Sequence, residues 1–163
     1  MELKFTVQTK IQRPVNEVFD AVYNPDKLSA YFTNGGAGAP LEEGTTVEWA
    51  FADNPGAEPV KFPVEVKSVT KNRSIVLGWE GAKDLQTRIE IEFIEDAKDT
   101  IVKITESGWR PKQEDLDSSY LNCMGWSQML SALKAFVEYG INLRKGAYTG
   151  LYGHCDNNAA GVS

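Results

Sequence analysis

Between Leu116 and Tyr139 the chain carries one long stretch of helical periodicity, placed after a run of alternating strands. Wound at about 100° per residue, Cys123, Trp126, Met129, Leu130, Leu133, Phe136 and Val137 fall within an arc of about 140°. Gln128, Ser131, Lys134 and Glu138 take the opposite side. Such a helix must bury its apolar face against a sheet, where it either fills a core or roofs a cavity. That choice decides what the protein can do.

The sheet is legible upstream. Phe5, Val7, Thr9 and Ile11 alternate with Lys4, Thr6, Gln8 and Lys10, the mark of a half-buried strand. Pro14 suits a helix start, and Val15, Val18, Phe19 and Val22 follow at helical spacing. Asn24 before Pro25 is read as the cap of a second short helix carrying Leu28, Tyr31 and Phe32. Asn34 to Pro40, rich in Gly and Ala, reads as a loop.

Strands follow on the sets Val47/Trp49/Phe51, Val60/Phe62/Val64/Val66, Ile75/Leu77/Trp79 and Ile89/Ile91/Phe93. A last strand covers Ile101 to Thr105, and Gly108 is expected to end it. Turn signals such as Asp53-Asn-Pro-Gly and Lys71-Asn-Arg-Ser separate them, so the strands form an antiparallel meander with one wet face. The expected fold is α+β: a helix grip, in which a curved antiparallel sheet wraps a long C-terminal helix, with two short helices after the first strand. Residues 1–145 form this domain. Residues 146–163, with four glycines and two asparagines, are expected to be an irregular tail.

Charge narrows the function classes. Seventeen basic against twenty-three acidic side chains give −6, with no run of more than two Lys/Arg. That opposes nucleic-acid binding, which needs a concentrated basic face, and opposes membrane-surface attachment. No stretch approaches the roughly 20 apolar residues of a membrane span. Met1-Glu-Leu-Lys-Phe does not look like a secretory leader. Two cysteines, Cys123 and Cys155, are too few for a disulfide framework, and a cytoplasmic location is expected.

Several segments carry a family resemblance. Arg13-Pro-Val-Asn-Glu-Val-Phe-Asp-Ala-Val and Asn24-Pro-Asp-Lys-Leu open it, and Gly44 with Trp49 and Leu77-Gly-Trp continue it. Thr100 to Trp109, then Gly125-Trp126 with Leu130, Leu133 and Phe136-Val137, complete it. Over about residues 3 to 140 the chain resembles the SRPBCC (START-related, birch-allergen-like) superfamily. Within that superfamily it resembles the family named after the activator of heat-shock protein 90 ATPase. Tyr31-Phe32 stands where that family often has a tryptophan. The resemblance implies the helix-grip fold and a deep apolar cavity between sheet and final helix. Family membership supports fold better than function.

Catalytic motifs are absent from the pattern. His154-Cys155-Asp156 offers too few convergent ligands for zinc, so no metal or cofactor is expected. The Gly-rich loop at Asn34 lacks the Lys-Ser/Thr of a phosphate cradle. Cys123, on the apolar arc, reads as an inert buried thiol. Paired carboxylates Glu42/Glu43 and Glu90/Glu92 read as solvated surface.

The informative residues are polar ones in apolar company. Ser119 and Asn122 project into the arc of Cys123 and Trp126. Burying an unpaired amide costs roughly 1–3 kcal/mol, so Asn122 needs a partner. Glu106 turns inward if Val102 and Ile104 do, although Ile101 competes for that register. Tyr120 is placed to offer a hydroxyl at a cavity mouth. Trp49, Phe51, Phe62, Trp79, Phe93, Trp126 and Leu130 are expected to line the interior, either as plain core or as pocket wall.

The leading expectation is a small domain that binds an apolar or amphipathic small molecule, oriented by Asn122, Ser119, Tyr120 or Glu106. A chaperone-interacting module, which the family name implies, is the alternative. A cavity enzyme using Glu106 and Tyr120 as acid and base is a third reading, and the chain leans away from it. A second copy of the chain stays open as a partner.

Overall fold

The computed structural model describes residues 1–33 and 36–151. Strand β1 (Leu3–Ile11) leads into helix α1 (Val15–Tyr23) and the single turn α2 (Pro25–Leu28). Six strands follow: β2 (Gly36–Ala37), β3 (Thr46–Phe51), β4 (Val60–Thr70), β5 (Ser74–Ala82), β6 (Leu85–Asp96) and β7 (Asp99–Trp109). Helix α3 (Gln113–Tyr139) closes the order. All strands join one antiparallel sheet in the order β1-β7-β6-β5-β4-β3-β2. Each strand pairs with its sequence neighbour except β1, which closes against β7.

The expected α+β helix grip is therefore the observed fold. α3 packs on β1, β5 and β7, and α1 covers β6. The core is the set of inward residues that strand alternation selects: Val64 and Val66, Ile75 and Leu77, Ile89 and Ile91, Val102 and Ile104. Trp126, Met129, Leu130 and Leu133 of α3 meet them.

Local chemistry explains the helix boundaries. Pro14 precedes α1, and its carbonyl accepts the first amides, Glu17 N at 3.1 Å and Val18 N at 3.3 Å. Asn24 Oδ1 accepts Asp26 N at 3.0 Å, capping α2 as its sequence suggests. Gly140, at φ 68°, ends α3 in the left-handed conformation, and Ile141 N reaches back to Ala135 O.

Several boundaries differ from those expected. The second helix stops at Leu28, because Tyr31 and Phe32 leave it to enter the core. The Asn34–Pro40 loop holds β2, which pairs Gly36 with Ala50 and Ala37 with Trp49; residues 34 and 35 lie outside the described residues. Gly108 does not end β7: at φ 97° it forms an irregularity beside the register shift opposite Leu3 and Lys4, and the strand continues to Trp109. Ile101 turns outward and leaves the inward register to Val102, Ile104 and Glu106. Glu138, expected on the wet side of the helix, has a side chain only 3% exposed. It pairs with Lys134, whose ammonium also donates to Lys10 O, so β1 shields that flank.

Candidate functional site

Glu106 is fully buried, at 0% exposure, on β7, one strand in from the β1 edge of the sheet. It pairs laterally with Phe5 of β1 and Ile89 of β6, and its carboxyl points under the first half of α3. Four side chains donate to it. Trp79 Nε1 reaches Oε1 at 2.9 Å, Thr87 Oγ1 reaches Oε1 at 2.6 Å, and Trp126 Nε1 reaches Oε2 at 2.9 Å. Asn122 Nδ2 lies 3.2 Å from Oε1 and 3.4 Å from Oε2.

The topology makes this convergence possible. Trp79 and Thr87 face each other across the β5–β6 ladder, and strand alternation puts Thr87, like Ile89, on the inner face. Asn122 and Trp126 stand four residues apart on α3, hence on one face. A buried carboxyl is costly unless its oxygens are satisfied, and here donors from three elements satisfy them.

Beside this cluster opens a cavity of about 420 Å³. Its wall includes the rings of Phe32, Phe51, Phe62, Trp79 and Trp126, together with Asp53, Asn54 and Glu58 from the β3–β4 connection. Those rings stack edge to face or tilted at 5.1 to 6.0 Å, as in Phe32–Phe51, Phe51–Phe62, Phe62–Trp79 and Trp79–Trp126. Leu121, Asn122, Met124, Gly125 and Gln128 join Trp126 on the α3 side.

The chain crosses the mouth after α3. Asn142 Oδ1 accepts the amides of Arg144 and Lys145, turning the backbone over the β3–β4 connection. Arg144 donates from Nε and Nη2 to the two oxygens of Asp53, at 3.1 and 2.8 Å. Its guanidinium lies 4.9 Å from the Phe51 ring centre and 4.8 Å from that of Tyr148. Thr149 Oγ1 reaches Asp53 O, and Gly150 N reaches Asn54 Oδ1. The described part of the expected tail, 146–151, is thus held against the domain by specific contacts.

Of the residues singled out from sequence, Phe51, Phe62, Trp79, Asn122 and Trp126 line the cavity, and Glu106 anchors three of them from beneath. Trp49 lies one layer deeper, against Trp79 and Trp126, and its Nε1 has no partner among the described residues. Phe93 packs on Phe19 at the other end of the core. Ser119 donates to Leu116 O within its own helix, and Leu130 is core; neither they nor half-buried Cys123 belong to the cavity wall.

Tyr120 is 61% exposed and also outside that wall, because helical rotation carries it away from Ser119 and toward solvent. It does not join Glu106 to make an acid/base pair. Phe32, Thr87, Arg144 and Tyr148 were not anticipated. Thr87 was available from alternation with Ile89, whereas nothing local marks Arg144.

Among the described residues, no group of three or more His, Cys, Asp or Glu is placed to hold a metal. The His154-Cys155-Asp156 run lies outside those residues. No described helix is long and apolar enough to cross a membrane.

A family model described as Activator of Hsp90 ATPase homolog 1-like protein matches residues 12–138. No curated protein matches significantly. Among solved structures, protein SSP2350 from Staphylococcus saprophyticus superposes with a TM-score of 0.72 at 22% identity, over 87% of this chain and 96% of that one. The Aha1 dimer from Colwellia psychrerythraea gives 0.68 at 20%, over 85% and 98%. CalU16 from Micromonospora echinospora gives 0.65 at 16%, over 88% and 80%. At these identities the likeness is one of fold.

Proposed function

The chain belongs to the Activator of Hsp90 ATPase homolog 1-like family, and on that premise we propose that it is a cytoplasmic protein binding an apolar or amphipathic small molecule in the cavity between sheet and α3. The observation that carries this reading is Gly125. It sits mid-helix and lines the cavity, and a Cβ placed on it would meet nothing within 4 Å. Glycine inside a helix costs roughly 1 kcal/mol against alanine, and neither packing nor a positive φ requires it here. Its effect is to leave room. Rigid rings around that room resist collapse, and a volume of about 420 Å³ falls in the ordinary ligand-pocket range of about 300–1,000 Å³.

Affinity would come from apolar area, with Asn122 and Gln128 giving orientation. The test is thermal-shift and calorimetric screening against lipids, sterols and aromatic metabolites, for wild type and Gly125→Leu. A compound that stabilises the wild type and loses affinity when leucine fills the space supports the reading. If no compound shifts the wild type, the reading fails.

A second reading, docking to a chaperone, is favoured by one observation besides the family. Tyr120, Leu121 and Met124 form an exposed apolar row on α3 that runs from outside the cavity onto its rim. Leu121 and Met124 also line the cavity, so the separating variant is Tyr120→Glu, which would weaken that contact from outside the cavity wall. A pull-down with Hsp90 at micromolar concentration tests it, with self-association of the chain as the control outcome. Loss of every interaction in the wild type removes this reading and leaves the first intact.

A further inference from the structure

Resting on the small-molecule reading and deepening it, we infer that Asn122 fixes the polarity of the ligand: its polar end is a neutral hydrogen-bond donor, a hydroxyl or N–H on an aromatic body, received by Asn122 Oδ1. The argument begins at Glu106. Two of the groups that meet its oxygens are indole N–H groups, which can only donate, and the Thr87 hydroxyl donates to the same site. A carboxylate so placed offers acceptors alone, so the amide of Asn122 presents its NH2 end to it, as the 3.2 and 3.4 Å contacts record.

An amide has two ends. With Nδ2 committed to Glu106, the carbonyl oxygen is the polar atom left over, and Asn122 lines the cavity. Among the described residues Oδ1 receives no hydrogen bond. It cannot exchange places with Nδ2, because turning the amide over would set oxygen against oxygen at Glu106. Glu106 thus acts as a positioning residue, since it holds the amide in one orientation and reaches the ligand only through it.

The charged groups of the wall, Asp53, Glu58 and Arg144, argue in the same direction, since two of them are acidic. Arg144 already gives Nε and Nη2 to Asp53, and its charge is balanced there. An anionic ligand group is therefore not called for. The rings of Phe32, Phe51, Phe62, Trp79 and Trp126 in the wall suit a flat aromatic body.

Three probes separate the possibilities: 2-naphthol, its methyl ether, and 2-naphthoate, titrated into the wild-type chain and followed by calorimetry and tryptophan fluorescence. One neutral hydrogen bond predicts that naphthol binds about five- to tenfold more tightly than the ether. In Asn122→Leu, which keeps the size and leaves Glu106 its three other donors, both probes should bind with a ratio near one. Equal affinities in the wild type overturn the inference, as does tightest binding by naphthoate, and both results leave cavity binding standing. A preference that survives in Asn122→Leu also overturns it, by moving the acceptor elsewhere. Failure of all three probes at millimolar concentration overturns this inference, because no aromatic body is then held, whereas the binding reading falls only if the wider screen of lipids and sterols fails as well. The wild-type comparison needs no variant to fold.

Discussion

Trp126 and Glu106, twenty residues apart, are joined by an N–H···O bond of 2.9 Å that pins the long helix to the sheet at the edge of the cavity. The same carboxyl holds Trp79 on the opposite wall. One buried acidic side chain thereby sets the separation of two indole rings. A simple apolar core would not demand that arrangement, since leucine at 106 would pack without organising its neighbours.

Removing the carboxyl should be severe. Glu106→Ala strands two indole N–H groups, a hydroxyl and an amide, and creates a void. Loss of about 3–5 kcal/mol is expected, read from the midpoint of urea unfolding at unchanged slope. A loss under about 1 kcal/mol would mean that the network is not a stabilising unit.

Two tryptophans with equal rings separate the hydrogen bond from the packing. Trp126 donates to Glu106, whereas Trp49 Nε1 has no partner among the described residues. Trp126→Phe should therefore cost about 1–3 kcal/mol more than Trp49→Phe, because only the former leaves Glu106 short of a donor. Paired chemical denaturation of the two variants checks the difference.

Gly125 offers a gain. Gly125→Ala should stabilise the fold by about 0.5–1 kcal/mol, since helix propensity improves and the new methyl enters open space. The measurement is the thermal midpoint. Destabilisation would show that this part of the helix is tighter than its geometry indicates.

Tyr31 predicts an alkaline transition. Its hydroxyl donates to Ala21 O at 3.0 Å, and burial pushes the phenol well above its ordinary value of 10.0. The folded state therefore keeps its proton where the unfolded chain releases it. This contribution is complete below pH 10 and is lost as pH climbs from there toward the raised folded value. Tyr31→Phe should flatten that slope in a pH series of unfolding free energies, at a cost of about 1–3 kcal/mol at neutral pH because the buried Ala21 O loses its donor.

Asp115 predicts the opposite limb. Arg110 donates from Nε at 2.5 Å and from Nη2 at 3.1 Å to its two oxygens, and that hydrogen bonding holds the carboxyl below its usual value of 3.8. A depressed folded value means stability that is present above the unfolded pKa and lost as pH falls through the folded one. Acid unfolding below about pH 4 should be shallower in Asp115→Asn than in the wild type. Parallel acid titrations monitored by circular dichroism measure it.

The division between what was legible early and what was not follows interaction range. Alternation of Ile89, Ile91 and Phe93, the periodicity from Trp126 to Leu133, and the Asn24 cap are local patterns, and each appears in the fold where its spacing placed it. Glu106 turned inward for the same reason. Its burial followed from strand parity alone, and the competing register of Ile101 gave way because Val102 and Ile104 face the core.

What tertiary structure alone decided is who meets whom. The donors to Glu106 come from two other strands and the last helix, and no spacing along the chain records that Thr87 and Asn122 end on one carboxyl. Arg144 reaches Asp53 across ninety-one positions, a pairing invisible to any local pattern. Tyr120 and Ser119, adjacent in sequence, part company because about 100° of helical rotation separates solvent from core. Periodicity tells a residue which side to face, but the partner it finds there depends on how the sheet and helix pack, and that is a property of the whole chain.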